Sequence, residues 1–376
     1  MGTTRFKPVA MAAAVALAFG ATACGAANEE PAQSGSNNAN AAAATPAAAE
    51  LSGNLAGAGA SSQEAAQQAW IAGFQEANPD TTISYDAVGS GGGREQFIAG
   101  GVAFAGTDSH VKDEELTGAQ ERCGGPDNLI EIPAYISPIA VIYNLDGVEN
   151  LQLSPETLAK IFKQEIKTWD DAAIKADNPD ATLPSERITV VNRSDESGTT
   201  ENFQEYLAAV APDVWDFEVS GDWPVKGGEA AQGTSGVVDA VKAGKGAIGY
   251  ADASQAGELG KASVKVGEEF VAPTPEAAAK IVEASEETDD PGAHVFTYDL
   301  KRDTTEAGTY PIVLVSYLLA CTKYDDAAQG ALVKGYVNYI VSAEGQQAAA
   351  TNAGSAPISE AVRAKVQPAV DAIAAN

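Results

Sequence analysis

Positive charge, histidine, cysteine and long apolar runs are all scarce in this sequence, and each scarcity removes a class of function. Against 52 acidic residues stand 23 Lys and Arg, for a formal net charge of -29. Nucleic acid and anionic membrane surfaces are gripped by clustered Lys and Arg, so neither is an expected partner surface. There are 2 histidines, and one of them, His110, directly follows Asp108 and Ser109. Three neighbours in sequence cannot fold back into the spatial relay of a serine hydrolase. No GxSxG elbow, HExxH or paired CxxC occurs, and a metal-assisted phosphatase would need several His and Asp ligands around its serine. No enzymatic activity, metal or cofactor is expected. Gly244, Gly246 and Gly249 satisfy GxGxxG, but they precede or sit within an apolar strand and do not join a strand to a helix; a dinucleotide site is rejected there. In the body of the chain no stretch reaches the roughly 18 apolar residues that span a bilayer.

What is present begins with an address. Residues 1–23 carry Arg5 and Lys7, then an apolar run and small residues, and read as an export signal. Cys24 follows Ala21, Thr22 and Ala23 and precedes Gly25, a pattern that resembles the lipobox of bacterial lipoproteins and implies a lipid on Cys24. Residues 24–50 are Ala, Asn, Ser, Gly and Pro with almost no large apolar side chain. Such a segment cannot bury enough surface to offset chain entropy and is expected to be a disordered tether. Cys123 and Cys321 alone remain in the exported body. An even pair outside the cytoplasm suggests a disulfide, with two separate buried thiols as the alternative.

The remaining length, at 45% hydrophobic residues overall, is enough for two domains with their own cores. Its most informative stretch is 188–200, ITVVNRSDESGTT. Apolar alternation gives a strand, the polar run a turn, and Phe203, Tyr206, Leu207 and Val210 a helix. The first N–H groups of a helix lack partners and carry the positive dipole end, so an oxyanion can sit there. Ser197 and Thr199 add hydroxyls, Gly198 clears the approach, and Arg193 offers a charged fork. Two more helix starts follow glycine-rich turns: 57–62, GAGASS, where Ser61 and Glu64 fit a capping box, and 89–94, GSGGGR. Asp108 closes a short strand at 102–107. A charged carboxylate only accepts hydrogen bonds, so at an anion site it selects a ligand with a proton to donate. A simple helix cap is the competing role for Asp108. Residues 154–169 read as one helix, 129–145 as a strand crossing between lobes despite Pro133 and Pro138, and 310–320 as the crossing back.

Taken together, GAGASS, GSGGG, GTDS at 106–109, IKTWDD at 166–171, RSDESGTT at 193–200, GAIGY at 246–250 and YPI at 310–312 resemble the phosphate-binding subunit of the phosphate-specific ABC transporter. The resemblance implies the α/β type II periplasmic-binding-protein fold, with two lobes, two crossovers and a ligand cleft. Lobe I is expected over residues 51–136 and 311–376, and lobe II over 137–310. It implies a phosphate shell of Ser61, Ser62, Ser90, Asp108, Arg193, Ser197, Gly198 and Thr199, with Asp195 orienting the arginine. The family's usual Thr-Phe pair is Ser61-Ser62 here, and Glu196 replaces a usual glycine, placing an extra negative charge near the cleft. The implied protein is a monomeric, lipid-anchored receptor at the outer face of the cell membrane, periplasmic or secreted without the lipid, that delivers phosphate to permease subunits. Receptors for sulfate or molybdate, and a secreted phosphatase, are the alternatives.

Overall fold

The computed structural model describes residues 51–111, 113–288 and 292–374; the expected export signal, Cys24 and the tether lie outside them. Eight strands make the main path of one large sheet: β1 (Gly53–Gly59), β2 (Thr81–Asp86), β3 (Phe104–Thr107), β4 (Leu129–Tyr143), β5 (Thr189–Arg193), β6 (Glu229–Ala231), β7 (Ala247–Asp252) and β8 (Val313–Cys321). Their order is β2-β1-β3-β8-β4-β7-β5-β6. The outer pairs β1/β2, β1/β3, β5/β7 and β5/β6 are parallel, as strand-helix-strand connections require, while β8 and β4 run antiparallel through the middle.

Residues of β4 and β8 are buried throughout, which is why both read as apolar runs without alternation. Strand β4 changes partner part way. Its residues 129–138 pair with β8, and Ile139–Tyr143 pair with β7. The two prolines in β4 lack the N–H that a ladder needs. Pro133 pairs with Tyr317 beside the register shift between Ser316 and Tyr317, and Pro138 pairs with Val313, where β8 begins.

Helices cover both faces. Helix α1 (Glu64–Ala77) buries Trp70 and Phe74, and Phe74 meets Tyr336 at 5.4 Å between ring centroids. Each such ring removed from water stabilises by about 1.5–3 kcal/mol. Towards the other end, Phe162, Phe203, Trp223 and Tyr250 form one aromatic cluster, with Phe203 stacked on Tyr250 at 4.7 Å. The helix expected over 154–169 is shorter, Pro155–Phe162. Gln164 then takes a left-handed backbone (φ 62°), which ends the helix and lets Trp169 fold back to donate to Gly246 O at 3.0 Å. Cys123 and Cys321 are joined in a disulfide across 198 residues. Under the chain-entropy account a loop this long contributes about 5 kcal/mol. Among the described residues no helix is long and apolar enough to cross a membrane.

Asp252, at the end of β7, is fully buried beside the point where β4 changes partner. It accepts from Tyr135 Oη at 3.1 Å and from the Ser254 backbone N–H at 2.9 Å. Burial pushes its carboxyl up to about 6 despite the donors of Ser254, Ser137 and Tyr135, which pull the other way. The folded protein therefore keeps a proton that the unfolded chain releases near pH 4, so this group favours folding below about pH 4 and loses that contribution as pH rises through about 6. Relative to Asp252→Asn, the unmutated chain is expected to lose up to about 3 kcal/mol over that window. Urea denaturation of both proteins between pH 4 and 7.5 measures it, and parallel stability curves would remove Asp252 as the titrating group.

Candidate functional site

Three helix starts touch Asp108, and a fourth lies beside Ser61 and Asp195. Two belong to elements near β1: the short turn of helix Ser61–Gln63 that leads into α1, and α2 (Ser90–Ile98). The other two are α3 (Gly198–Val210), which follows β5, and α4 (Gly233–Ala243), which follows β6. All four present positive dipole ends to one region. At Gly198 the approach is so close that an added Cβ would lie 2.7 Å from Asp108 Cβ and 2.9 Å from Ser90 Oγ. Only glycine lets the start of α3 come this near the Asp108 turn.

Asp108 is buried and does not cap a helix. Its Oδ1 accepts from Ser62 Oγ and Ser316 Oγ, each at 2.6 Å, and its Oδ2 accepts from Thr199 Oγ1 at 2.8 Å. Its backbone is also tethered: the N–H donates to Ser90 Oγ at 3.1 Å, and Asn202 Nδ2 donates to the carbonyl at 2.7 Å. Ser197 caps α3 by accepting from Thr200 N–H at 3.2 Å, which leaves its hydroxyl proton free to be donated.

Arg193 ends β5 with its side chain buried. Its Nε donates to Asp195 Oδ1 at 2.8 Å and its Nη2 to Asp195 Oδ2. Asp195 also accepts from Gly233 N–H at 3.0 Å. Burial opposes its ionisation, but the bonds and charge of Arg193 and the Gly233 N–H outweigh that and hold the carboxyl below the usual range. With the Nε–Nη2 edge of the fork fixed, Nη1 and the second N–H of Nη2 are the donors left for an anion. The stacked aromatics hold this corner from behind, since Tyr250 Oη accepts from Arg193 N–H at 3.3 Å and shares a hydrogen bond with Thr200 Oγ1 at 2.7 Å.

Glu196 does not enter the centre. Its Oε1 lies 2.5 Å from Arg94 Nη2, and the side chain is half-exposed. Room for it comes from Gly91, where an added Cβ would meet Glu196 Oε2 at 1.9 Å. Arg94 is itself buried, donating to Glu115 at 2.7 Å, Thr107 Oγ1 at 3.1 Å and Ser109 Oγ at 3.2 Å. Burial opposes its charge, and Glu115 and Glu196 more than restore it.

Ser62, Ser90, Asp108, Arg193, Asp195, Ser197, Gly198 and Thr199 are thus brought together, while Cys123 and Cys321 serve the disulfide elsewhere. Ser61 has a different task from the one expected. Its Oγ accepts from Thr234 N–H and pairs with Thr234 Oγ1, both at 3.0 Å, so the hydroxyl caps α4 and forms no capping box on its own helix. Ser316, Asn202, Thr234 and Arg94 escaped the sequence reading. Only Ser316 left a trace, as the lone serine in the buried run VLVSYLLAC.

Residues 42–344 match the sequence profile of the PBP superfamily domain. The chain is 37% identical over 324 residues to the phosphate-binding protein PstS 3 of Mycobacterium tuberculosis, covering 85% of this chain and 86% of that one. It is 34% identical over 328 residues to the PstS 3 protein of Mycobacterium leprae, covering 85% and 87%. Among solved structures, a high affinity periplasmic phosphate-binding protein bound with phosphate superposes with a TM-score of 0.70 at 25% identity, covering 84% of this chain and 93% of that one. The α/β sheet with its central antiparallel pair is the type II periplasmic-binding-protein fold, and the chain belongs to the PstS family of phosphate-binding proteins within the PBP superfamily.

Proposed function

We propose that this chain is an extracytoplasmic receptor, and not an enzyme, that binds inorganic phosphate in a cleft between two lobes and delivers it to ABC permease subunits. The observation that carries this reading is a buried carboxylate, Asp108, set among hydroxyls and helix starts. A ligand accepted there must bring acceptors for the donors and a proton for the carboxylate. Phosphate has both at neutral pH, whereas sulfate has no proton to give. Ser62, Ser90, Ser197 and Thr199 supply hydroxyls in this reading, Gly198 its N–H, and Arg193 the positive charge. Ser61 contributes its backbone and joins the two sides through Thr234.

Lobe I in this reading is residues 51–136 with 311–376, and lobe II is 137–310. Support comes from β4, which leaves β8 for β7 at residues 138–139. The starts of α1 and α2 then face those of α3 and α4, and only a closed cleft lets phosphate touch both sets. Phosphate shifts the population by that differential affinity. Cys24 carries the lipid that anchors a monomer to the outer face of the membrane.

Calorimetry on the purified chain tests the function: phosphate is expected to bind and sulfate not, and the reverse preference would end the proposal. Arg193→Ala is expected to cost about 2–5 kcal/mol of phosphate binding, the range for truncating one partner of a desolvated charged contact. Ser109→Ala, which touches only Arg94 among these groups, should cost far less; equal losses would mean the site is misplaced.

Glu196 and Arg94 lie on opposite sides of the cleft in this reading, so their ion pair forms on closure. A half-exposed pair is worth up to about 1 kcal/mol. Stopped-flow release of phosphate from Glu196→Gln should accordingly be about two- to fivefold faster than from the unmutated chain, with the difference shrinking at 1 M salt. Slower release from the variant would show that the carboxylate repels the ligand instead.

A further inference from the structure

Three hydroxyls aim protons at Asp108, and two of them, on Ser62 and Thr199, belong to the proposed ligand shell and are free to turn towards a ligand. The third is Ser316, fully buried in the middle of β8. Its orientation is set by a chain of buried side chains. Gln63 Nε2 lies 3.2 Å from Tyr317 O, and because a carbonyl only accepts, that end of the amide must be the nitrogen. The same Nε2 therefore donates to Ser316 Oγ, at 2.7 Å. The other end of the Gln63 amide, Oε1, accepts from Gln67 Nε2 at 2.8 Å, and Gln67 Oε1 accepts from Tyr336 Oη at 2.8 Å. With a lone pair of Ser316 Oγ taken by Gln63, its proton goes to Asp108 Oδ1 at 2.6 Å, against the longer alternative of Thr107 O at 3.3 Å.

We propose that Ser316, oriented by Gln63, Gln67 and Tyr336, is a specificity-positioning residue that holds Asp108 as a pure hydrogen-bond acceptor towards the ligand. The inference rests on the phosphate-receptor reading and deepens it. Rejection of a fully deprotonated oxyanion depends on Asp108 having no proton to offer it. A donor that cannot rotate away secures that on Oδ1 even when Ser62 and Thr199 turn to the ligand. Ser316 touches no ligand in this scheme; it acts through Asp108.

The test compares phosphate and sulfate affinities of the unmutated chain, Ser316→Ala and Gln63→Met by competition titration, with circular dichroism as a check on folding. Ser316→Ala is expected to narrow the phosphate-over-sulfate ratio by about tenfold or more, because a site built on a defined hydrogen bond loses discrimination when that bond loosens. Gln63→Met removes the donor that orients Ser316 and should shift the ratio the same way by a smaller factor, so the inference stays testable if Ser316→Ala does not fold. Equal weakening of both anions, or an unchanged ratio in both variants, would overturn the assignment while leaving the receptor reading intact. An unmutated chain that binds no phosphate would overturn both.

Discussion

A buried carboxylate held at three helix starts is the constraint around which the rest is arranged. Asp108 could not be held away from water without donors, since an unpaired buried charge costs several kcal/mol. The chain supplies them from three separate elements: Ser62 ahead of α1, Thr199 in the first turn of α3, and Ser316 in the middle of β8. Each element must arrive at its own place for the carboxylate to be satisfied. The central antiparallel pair β4/β8 is what brings them there, because β8 lies between β3, which leads into Asp108, and β4.

The acidity of the whole chain and the preference of this site for an anion do not conflict. Charges on the outer surface are largely screened beyond about 8 Å at physiological salt. Inside, the local potential is set by helix dipoles and by buried arginines, of which Arg193 and Arg94 have different assignments. Arg193 is oriented by Asp195 and faces the centre, while Arg94 is committed to Glu115, Glu196, Thr107 and Ser109. The second arginine pairs with Glu196, so that carboxylate does not stand unpaired beside Asp108.

Local features were legible in the sequence and distant partnerships were not. Strand, turn and helix over 188–200 followed from periodicity, and the glycines at 89 and 198 marked close approaches. The capping box expected at Ser61 failed for a reason no local pattern contains: its hydroxyl is taken by Thr234, 173 positions away. Arg94 and Glu196 are 102 positions apart, and Ser316 lies 208 from Asp108. In the same way, helical periodicity through 154–169 could not reveal that the chain turns at Gln164 so that Trp169 can reach Gly246. Tertiary packing overrode a weak local preference there.

The long-range partners share a location that bears on mechanism. Ser61 with Thr234, Arg94 with Glu196, Asp108 with Thr199, and Gln255 with the carbonyl of Ser61 at 2.8 Å all join the α1–α2 side to the β5–β7 side. In the proposed two-lobe reading these bonds ring the site and exist only while its two sides are together. A ligand that adds contacts to both sides need not supply the whole free energy of closing, since the ring already contributes part of it. The contribution has an upper limit: bonds strong enough to keep the sides together without a ligand would shut the route by which one enters. Hydroxyl and amide bonds and one half-exposed ion pair, each worth about 1 kcal/mol or less net, with one bond to a carboxylate, Thr199 to Asp108, worth about 1.5–3 kcal/mol, are of the size that assists closure without enforcing it.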